Sequence, residues 1–317
     1  MLLSEEFPEI FLEFRGRFRD QLRTSGVVHD LSSDPGTSAG APNDIKAVTA
    51  KVFGYEWMAY KRFGWDDPKY DIGHEEDVFK QKSLLRPSEI EGSLVLDAGC
   101  GNGRYSYWAV RYGAQVVGVD LSQAADVAFE NLRHLPNAAI VQADLFRLPF
   151  MSGAFDFVFT IGVLMHTGNA LDALSSLSGC LTQGGNLTAH VYGKGNFIYE
   201  LIDRVIRRWT TQMSIENLQT LSQILFRVAR ALDLVRIRSL VNCFVRLDEH
   251  PHMIFDWCAA PVATHHTYLE VMGWFDGLGF DVARTNKEWS STSALKRFVM
   301  RLLRYPLPVT VRGVLRS

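Results

Sequence analysis

The chain has 317 residues, 47% of them hydrophobic and 21% charged, which is enough to bury a sizeable core as one large domain or one domain with an appendage. Its four cysteines form no C-x-x-C pair and no His/Cys metal spacing, so we expect no disulfide scaffold, no metal and a reducing, cytoplasmic setting. An acidic N-terminus and the lack of an uncharged apolar run of ~18 residues argue against a secretory signal and a membrane span.

The first part of the chain divides into two stretches. Residues 5–23 carry Phe and Ile at helical spacing, and residues 24–44 are rich in Ser, Gly, Pro and Asp. We therefore expect an N-terminal helix and a flexible linker over residues 1–44. Residues 45–89 are aromatic, with Phe-Gly-Tyr-Glu-Trp at 53–57, and end in a helical pattern.

A glycine-rich loop follows the first apolar strand pattern, at residues 94–104. Glycine at every second position lets the backbone turn sharply and come close to a ligand, and a helical pattern follows at once. The order Asp-x-Gly-x-Gly-x-Gly differs from the G-x-G-x-x-G of dinucleotide folds. A carboxylate at this strand end would repel a pyrophosphate and attract a cationic sulfonium that carries an ammonium group.

Two further apolar stretches also end in a carboxylate. Residues 115–119 lead to Asp120, and residues 139–143 lead to Asp144. Three such strand ends at ~20–25-residue spacing are typical of consecutive βαβ units, whose strands bring their carboxyl ends to one edge of the sheet. Asp120 is placed to hold two ribose hydroxyls, and Asp144 to accept from an adenine amino group.

These stretches together resemble the class I S-adenosylmethionine-dependent methyltransferases, of the type that acts on metabolites or on sugar- or lipid-linked substrates. The resemblance covers residues 90 to 192 closely. It rests on LDAGCGNGR at 96–104, VGVDLS at 117–122, ADL at 143–145 with LPF at 148–150, FDFV at 155–158, IGVLMHT at 161–167 and GGNL at 184–187.

The resemblance implies an α/β fold, with a Rossmann-like, seven-stranded, mostly parallel sheet whose last strand is antiparallel. It places the cofactor-binding core at residues 90–196 and makes residues 45–89 an aromatic lid over it. It further implies S-adenosyl-L-methionine as cofactor. The residues it assigns to that cofactor are Asp97, Gly99, Cys100, Gly101, Asp120, Leu121, Asp144, Leu145 and Ile161.

Residues 197–249 are helical in pattern and rich in Arg, and they exceed a normal connection, so we expect a helical insertion after strand five. It would serve as an acceptor lid or an oligomer surface, and residues 250–317 would complete the core with strands six and seven. Residues 194–317 hold 17 Lys and Arg against 11 Asp and Glu, while the rest of the chain holds 16 against 24. Such a basic half fits an anionic substrate, a membrane surface or nucleic acid, or simply solvated helix faces.

The residues that would bind the methyl acceptor are less clearly marked in the sequence. His166 stands one turn beyond strand four and is a candidate general base, although a hydrogen-bonded structural role fits it too. Seven further residues are candidates for the acceptor pocket: Tyr55, Trp57, Tyr192, Asp256, Trp257, His265 and His266.

We predict an S-adenosylmethionine-dependent methyltransferase that moves a methyl group to an oxygen or nitrogen of a small-molecule metabolite by in-line displacement. The expected partners are that small-molecule acceptor and, through the insertion, an anionic membrane surface or a second copy of the chain; a nucleic acid is not expected. Two alternatives stay open: an RNA methyltransferase that uses the basic half, and a non-catalytic scaffold that keeps the cofactor fold.

Overall fold

The computed structural model describes residues 43–65, 72–286 and 305–316. The predicted N-terminal helix and nearly all of the predicted linker lie outside them. The described part is an α/β fold around one seven-stranded sheet. Its strands are β1 (Leu94–Ala98), β2 (Gln115–Asp120), β3 (Ala138–Gln142), β4 (Phe155–Ile161), β5 (Leu181–Val191), β6 (Phe280–Thr285) and β7 (Val309–Leu315).

The sheet has the order β3-β2-β1-β4-β5-β7-β6. Strands β1 to β5 pair in parallel, and β7 runs antiparallel to both of its neighbours. The predicted sheet, with its antiparallel last strand, is therefore confirmed. Because β1 to β5 are parallel, their carboxyl ends meet at one edge.

Helices cover both faces of the sheet, and successive strand residues alternate between these faces. On β1, Val95 packs with the helices that precede and follow the strand, while Leu96 and Ala98 belong to the other buried cluster. The helices are α1 (Asn43–Ala59), α2 (Ile72–Ser83), α3 (Pro87–Ile90), α4 (Arg104–Arg111), α5 (Ala124–Leu132), α6 (Ala170–Gly179), α7 (Phe197–Thr210), α8 (Ile215–Leu234), α9 (Arg238–Val241), α10 (Pro251–Ala259) and α11 (Tyr268–Gly277).

A third buried cluster joins the segment before the core to the segment after β5. Val52 of α1 packs there with Leu218 of α8 and with Ile254 and Phe255 of α10. Residues 197–241 are largely helical, and α10 packs on them rather than on the sheet alone. Helices α1, α8 and α10 thus form a roof opposite the carboxyl ends of the strands.

Polar side chains fix where helices α7 and α8 begin. Asn196 and Ser214 cap α7 and α8 by accepting from backbone N–H groups three residues on, as N-cap residues do. Within the described residues, no helix combines the length and the apolar character that crossing a membrane requires.

Candidate functional site

The carboxyl ends of the parallel strands face a cavity of about 760 Å³, a size typical of ligand sites. Gly99, directly after β1, lines this cavity with a φ of +86°. A Cβ at this position would lie 2.2 Å from Val163 Cγ2, so close packing as well as backbone conformation requires glycine. Ile161, the last residue of β4, lines the cavity beside it.

Asp120, at the end of β2, is held by backbone and side-chain donors. Its Oδ1 accepts from the N–H and the hydroxyl of Ser122 at 2.9 and 2.8 Å, and its Oδ2 accepts from the Gly101 N–H at 3.0 Å. Burial raises the pKa of Asp120, although these hydrogen bonds act against the shift. Three of the four acceptor positions of the carboxylate are thus occupied, and Oδ2 can accept one further hydrogen bond, as from a ribose hydroxyl. Leu121 lines the cavity next to it.

Asp144 lies two residues beyond β3 and also lines the cavity, with Leu145 beside it. Its Oδ1 accepts from the Phe146 N–H at 3.1 Å, and its Oδ2 pairs with the Lys46 ammonium. Lys46 belongs to α1. An ion pair therefore joins α1 to the carboxylate that the resemblance assigns to the adenine amino group.

Asp97, Cys100 and Gly101 lie behind the cavity wall. The Asp97 carboxylate is buried and accepts from the Ser106 hydroxyl at 2.6 Å. Burial raises the pKa of Asp97 to about 7. Helix α1 covers Gly101, because a Cβ at this position would lie 2.8 Å from the Trp57 indole ring. These residues hold the loop in place rather than line the space in front of it.

Helix α1 closes the cavity from above. Phe53, Glu56 and Trp57 all line it, so the aromatic segment stands over the glycine loop. Glu56 is buried; its Oε1 lies 2.9 Å from His252 Nδ1 without hydrogen-bond alignment, and its Oε2 has no hydrogen-bond partner among the described residues. Burial raises the pKa of Glu56 and lowers that of His252 to about 3, so the His252 imidazole is neutral at pH 7.

His166 lies in the short 3₁₀ turn after β4 and is buried. Its Nδ1 is 2.7 Å from the Val262 carbonyl oxygen, which can only accept, so Nδ1 carries the proton. Nε2 is then a lone-pair acceptor. It is buried without a hydrogen-bond partner among the described residues and lies 4.0 Å from Asp256 Oδ1. Burial lowers the pKa of His166, so its imidazole is neutral at pH 7.

Asp256 of α10 and Tyr192, directly after β5, meet at the same place. The Tyr192 hydroxyl donates to Asp256 Oδ2 at 2.7 Å. Burial alone would raise the pKa of Asp256, but the nearby His166 and Arg246 and the Tyr192 hydrogen bond outweigh it and lower the pKa. Arg246 lies over the Tyr192 ring, 4.8 Å from its centroid, and lines the cavity. The acceptor side thus holds a carboxylate, a guanidinium and a neutral imidazole.

Four of the predicted pocket residues do not line this cavity. Tyr55 packs on Phe255, and the buried Trp257 donates its indole N–H to Asp203 Oδ1 at 2.5 Å. His266 lies 2.9 Å from Glu270 and 2.7 Å from the Thr264 hydroxyl. His265 faces a second, shallower groove and lies 2.8 Å from Glu200. Tyr55 and Trp257 share helices with Trp57 and Asp256 but face away from the cavity, and the two histidines lie in the segment between α10 and α11.

Sequence reasoning missed Lys46, Glu56, His252 and Arg246, which all line the cavity. No local motif marks them, because they reach the site from α1, from α10 and from the turn after α9. The only signal was that Lys46 and Glu56 lie in the aromatic segment and Arg246 in the insertion, both of which were expected to cover the site; His252 lies beyond the insertion.

The cavity fits S-adenosylmethionine. It offers the half-buried Asp120 and the buried Asp144 for hydroxyl and amino donors, a glycine backbone beside them, and aromatic rings of α1 above. Aromatic faces and carboxylates favour a sulfonium over an anionic ligand.

Comparison with known proteins supports this assignment. Residues 96–189 match the family model described as a methyltransferase domain. The chain therefore contains a class I S-adenosylmethionine-dependent methyltransferase domain, as the motifs predict.

Similar curated proteins are named tRNA U34 carboxymethyltransferases. The one from Methylococcus capsulatus is 34% identical over 134 residues, which are 39% of this chain and 41% of that protein. The one from Sodalis glossinidius is 31% identical over 163 residues, 50% of this chain and 49% of that protein. The chain thus spans about half or less of these relatives. The expectation that a nucleic acid is not a partner is wrong, because these relatives are by name tRNA-modifying enzymes.

A solved structure with the same fold is 1,6-didemethyltoxoflavin-N1-methyltransferase from Burkholderia thailandensis, with bound 1,6-didemethyltoxoflavin and S-adenosylhomocysteine. It is 13% identical, with a TM-score of 0.51, and covers 92% of this chain and 98% of its own. At this identity the likeness concerns the fold alone.

Proposed function

We propose that this chain methylates RNA, with a tRNA as the acceptor and S-adenosylmethionine as the donor. The geometry around His166 supports group transfer. Its buried Nε2, which has no hydrogen-bond partner among the described residues, lines the cavity that would hold S-adenosylmethionine. The names of the curated relatives support tRNA as the acceptor class.

S-adenosylmethionine supplies a methyl group on a sulfonium, whose departure as a neutral thioether makes an in-line displacement feasible. The chain then has two tasks, which are to align the acceptor atom with that methyl group and to take the acceptor's proton. Asp120 and Asp144 would hold the nucleoside part of the donor by accepting from its hydroxyl and amino groups. Gly99 and Ile161 would lie beside its methionyl part.

His166 is placed to remove the proton. Its Nδ1–H is fixed on the Val262 carbonyl, which leaves Nε2 as the only nitrogen that can accept. When Nε2 gains a proton, the imidazolium lies 4.0 Å from a carboxylate oxygen of Asp256, which stabilises the positive charge. Tyr192 donates to the other oxygen and so orients the carboxylate. We therefore assign His166 as general base and Asp256 as the residue that stabilises its charged form.

The small-metabolite acceptor predicted from the sequence remains the alternative. The cavity, with aromatic rings above and carboxylates below, would also suit a small molecule. The two acceptor classes differ in one measurable respect, which is the size of the labelled product.

The test is transfer of radioactive methyl from S-adenosylmethionine, with the full-length protein and either bulk unmodified tRNA or a metabolite extract passed through a small-pore filter. We expect label in the tRNA, in one nucleoside after digestion, and none with Asp120→Ala. Label only in the filtered metabolites would overturn the RNA assignment. Failure to bind S-adenosylhomocysteine in calorimetry would overturn the donor assignment as well.

A further inference from the structure

A second groove lies beside the donor cavity, where the chain leaves β5 and enters α7. Its volume is about 470 Å³, and Lys194, Phe197, Glu200, Arg204 and His265 line it. We call it the α7 groove. Lys194 directly follows the cavity residues Tyr192 and Gly193, so a wall of the cavity and a wall of the groove are adjacent in the chain.

One face of α7 borders the groove. Phe197, Leu201, Arg204 and Arg208 follow a spacing of four, three and four residues, which places them in one stripe along the helix. The stripe is about 17 Å long at the helical rise of 1.5 Å per residue. All four side chains are exposed, and Phe197 is 80% exposed.

The stripe is positively charged without compensation. No carboxylate of the described residues lies within ion-pair distance of Arg204, Arg208 or Lys194. The remaining charges of this stretch are already engaged: Arg207 is buried on Asp203, and Glu200 accepts from the Gly195 N–H and contacts His265. Apart from the partly shielded Glu200, the groove therefore presents cations and one large ring to solvent.

We propose that the α7 groove binds the acceptor RNA strand outside the donor cavity. Arg204, Arg208 and Lys194 contact its phosphates, and Phe197 stacks on one base. Cations along a backbone track together with an exposed aromatic ring form the usual platform for single-stranded nucleic acid. The strand leaves the groove at Lys194, so the adjoining nucleotide faces the cavity at Tyr192. The inference rests on the proposed RNA acceptor.

The experiment measures binding of fluorescein-labelled unmodified tRNA by anisotropy, at 50 to 200 mM KCl. The groove variant is Arg204→Gln with Arg208→Gln. The matched control is Arg227→Gln with Arg230→Gln, which removes two exposed arginines from the next helix and changes net charge equally. We expect the groove variant to bind roughly 10-fold more weakly at 100 mM, with a salt slope shallower by about 1.4, and the control to change far less.

A second pair separates stacking from charge. We expect Phe197→Ala to weaken binding by about 5-fold or more with an unchanged salt slope. Leu234→Ala, which removes another highly exposed apolar side chain, serves as its control. Binding of S-adenosylhomocysteine should be unchanged in all four variants.

Equal losses in the groove and control variants would overturn the groove assignment. If wild type methylates tRNA while the groove variants bind as wild type does, the inference fails and the proposed function stands. If wild type neither binds nor methylates tRNA at 50 mM KCl while it binds S-adenosylhomocysteine, the RNA acceptor fails, and the inference fails with it.

Discussion

The floor of the cavity, formed by the carboxyl ends of the parallel strands, and its roof, formed by α1, α8 and α10, are held by different kinds of contact. Floor contacts are largely local or join neighbouring strands: Asp120 is fixed by Ser122, and Asp144 by Phe146. Roof contacts join distant segments: Glu56 meets His252, and His166 meets Asp256. The floor can therefore serve a common donor with a short motif, whereas the roof can change with the acceptor without disturbing the strands beneath it.

The largest effect is expected at His166, which follows β4 and faces the roof residue Asp256. His166→Ala should lower kcat by about 10²- to 10⁴-fold while donor affinity stays close to wild type, because only proton removal is lost. A base must be neutral, and burial lowers the pKa of His166, so wild-type kcat should fall only as pH drops below about 6.5. That acidic limb should disappear in the variant.

His265→Ala is the matched control, since this histidine is also shielded but lies in the α7 groove beside Glu200. Its kcat and acidic limb should resemble those of wild type. An equal loss of kcat in both variants would mean that His166 supports the structure and does not act as the base.

The floor should be most sensitive at Gly99. Gly99→Ala places a methyl group 2.2 Å from Val163 at a positive φ, so we expect a loss of about 2–5 kcal/mol in the free energy of unfolding. Gly162→Ala has a φ of +78° but no atom within 4 Å of the added Cβ, and should lose only the conformational part, about 1 kcal/mol. Urea unfolding measures both, and equal losses would show that packing against Val163 is not the constraint.

Asp97, in the floor of the cavity, makes the free energy of unfolding depend on pH. Its folded pKa of about 7 lies above the unfolded value of 3.8, so the folded state holds the proton more tightly. Stability should be fully present below pH 3.8 with respect to this group and decline as pH rises toward 7. Asp97→Asn should flatten that decline, raising the free energy of unfolding at pH 8 relative to wild type by about 2–4 kcal/mol. Urea titrations at pH 5 and pH 8 test this, and parallel pH profiles of wild type and variant would contradict it.

The smallest effect concerns the ion pair that ties roof to floor. Lys46→Met removes the cation that pairs with Asp144 and frees this carboxylate for the adenine amino group of the cofactor. We therefore expect S-adenosylhomocysteine to bind about 2- to 5-fold more tightly. Lys51→Met, an exposed lysine on the same helix, is the control. Calorimetry compares the two, and weaker binding by Lys46→Met would mean that Lys46 itself contacts the ligand.

The sequence by itself determined the sheet, the glycine loop and the strand-end carboxylates. Period-two hydrophobicity, glycine spacing and strand-end polarity are local properties, and parallel strands necessarily bring their carboxyl ends to one edge. Local pattern also placed His166 and Asp256 on the acceptor side. It could not separate Asp256 from its neighbour Trp257, because which side of a short helix faces the cavity depends on what packs against it.

Only the tertiary structure decided the roof. Lys46, Glu56, His252 and Arg246 reach the cavity through the packing of α1 on α8 and α10, and that packing depends on the shape of three buried surfaces together. His265 and His266 instead contact Glu200 and Glu270, and Arg204 and Arg208 of α7 form no ion pair among the described residues. Contacts between segments some two hundred residues apart carry no local signature, so the donor site can be read from short motifs, whereas the acceptor side cannot.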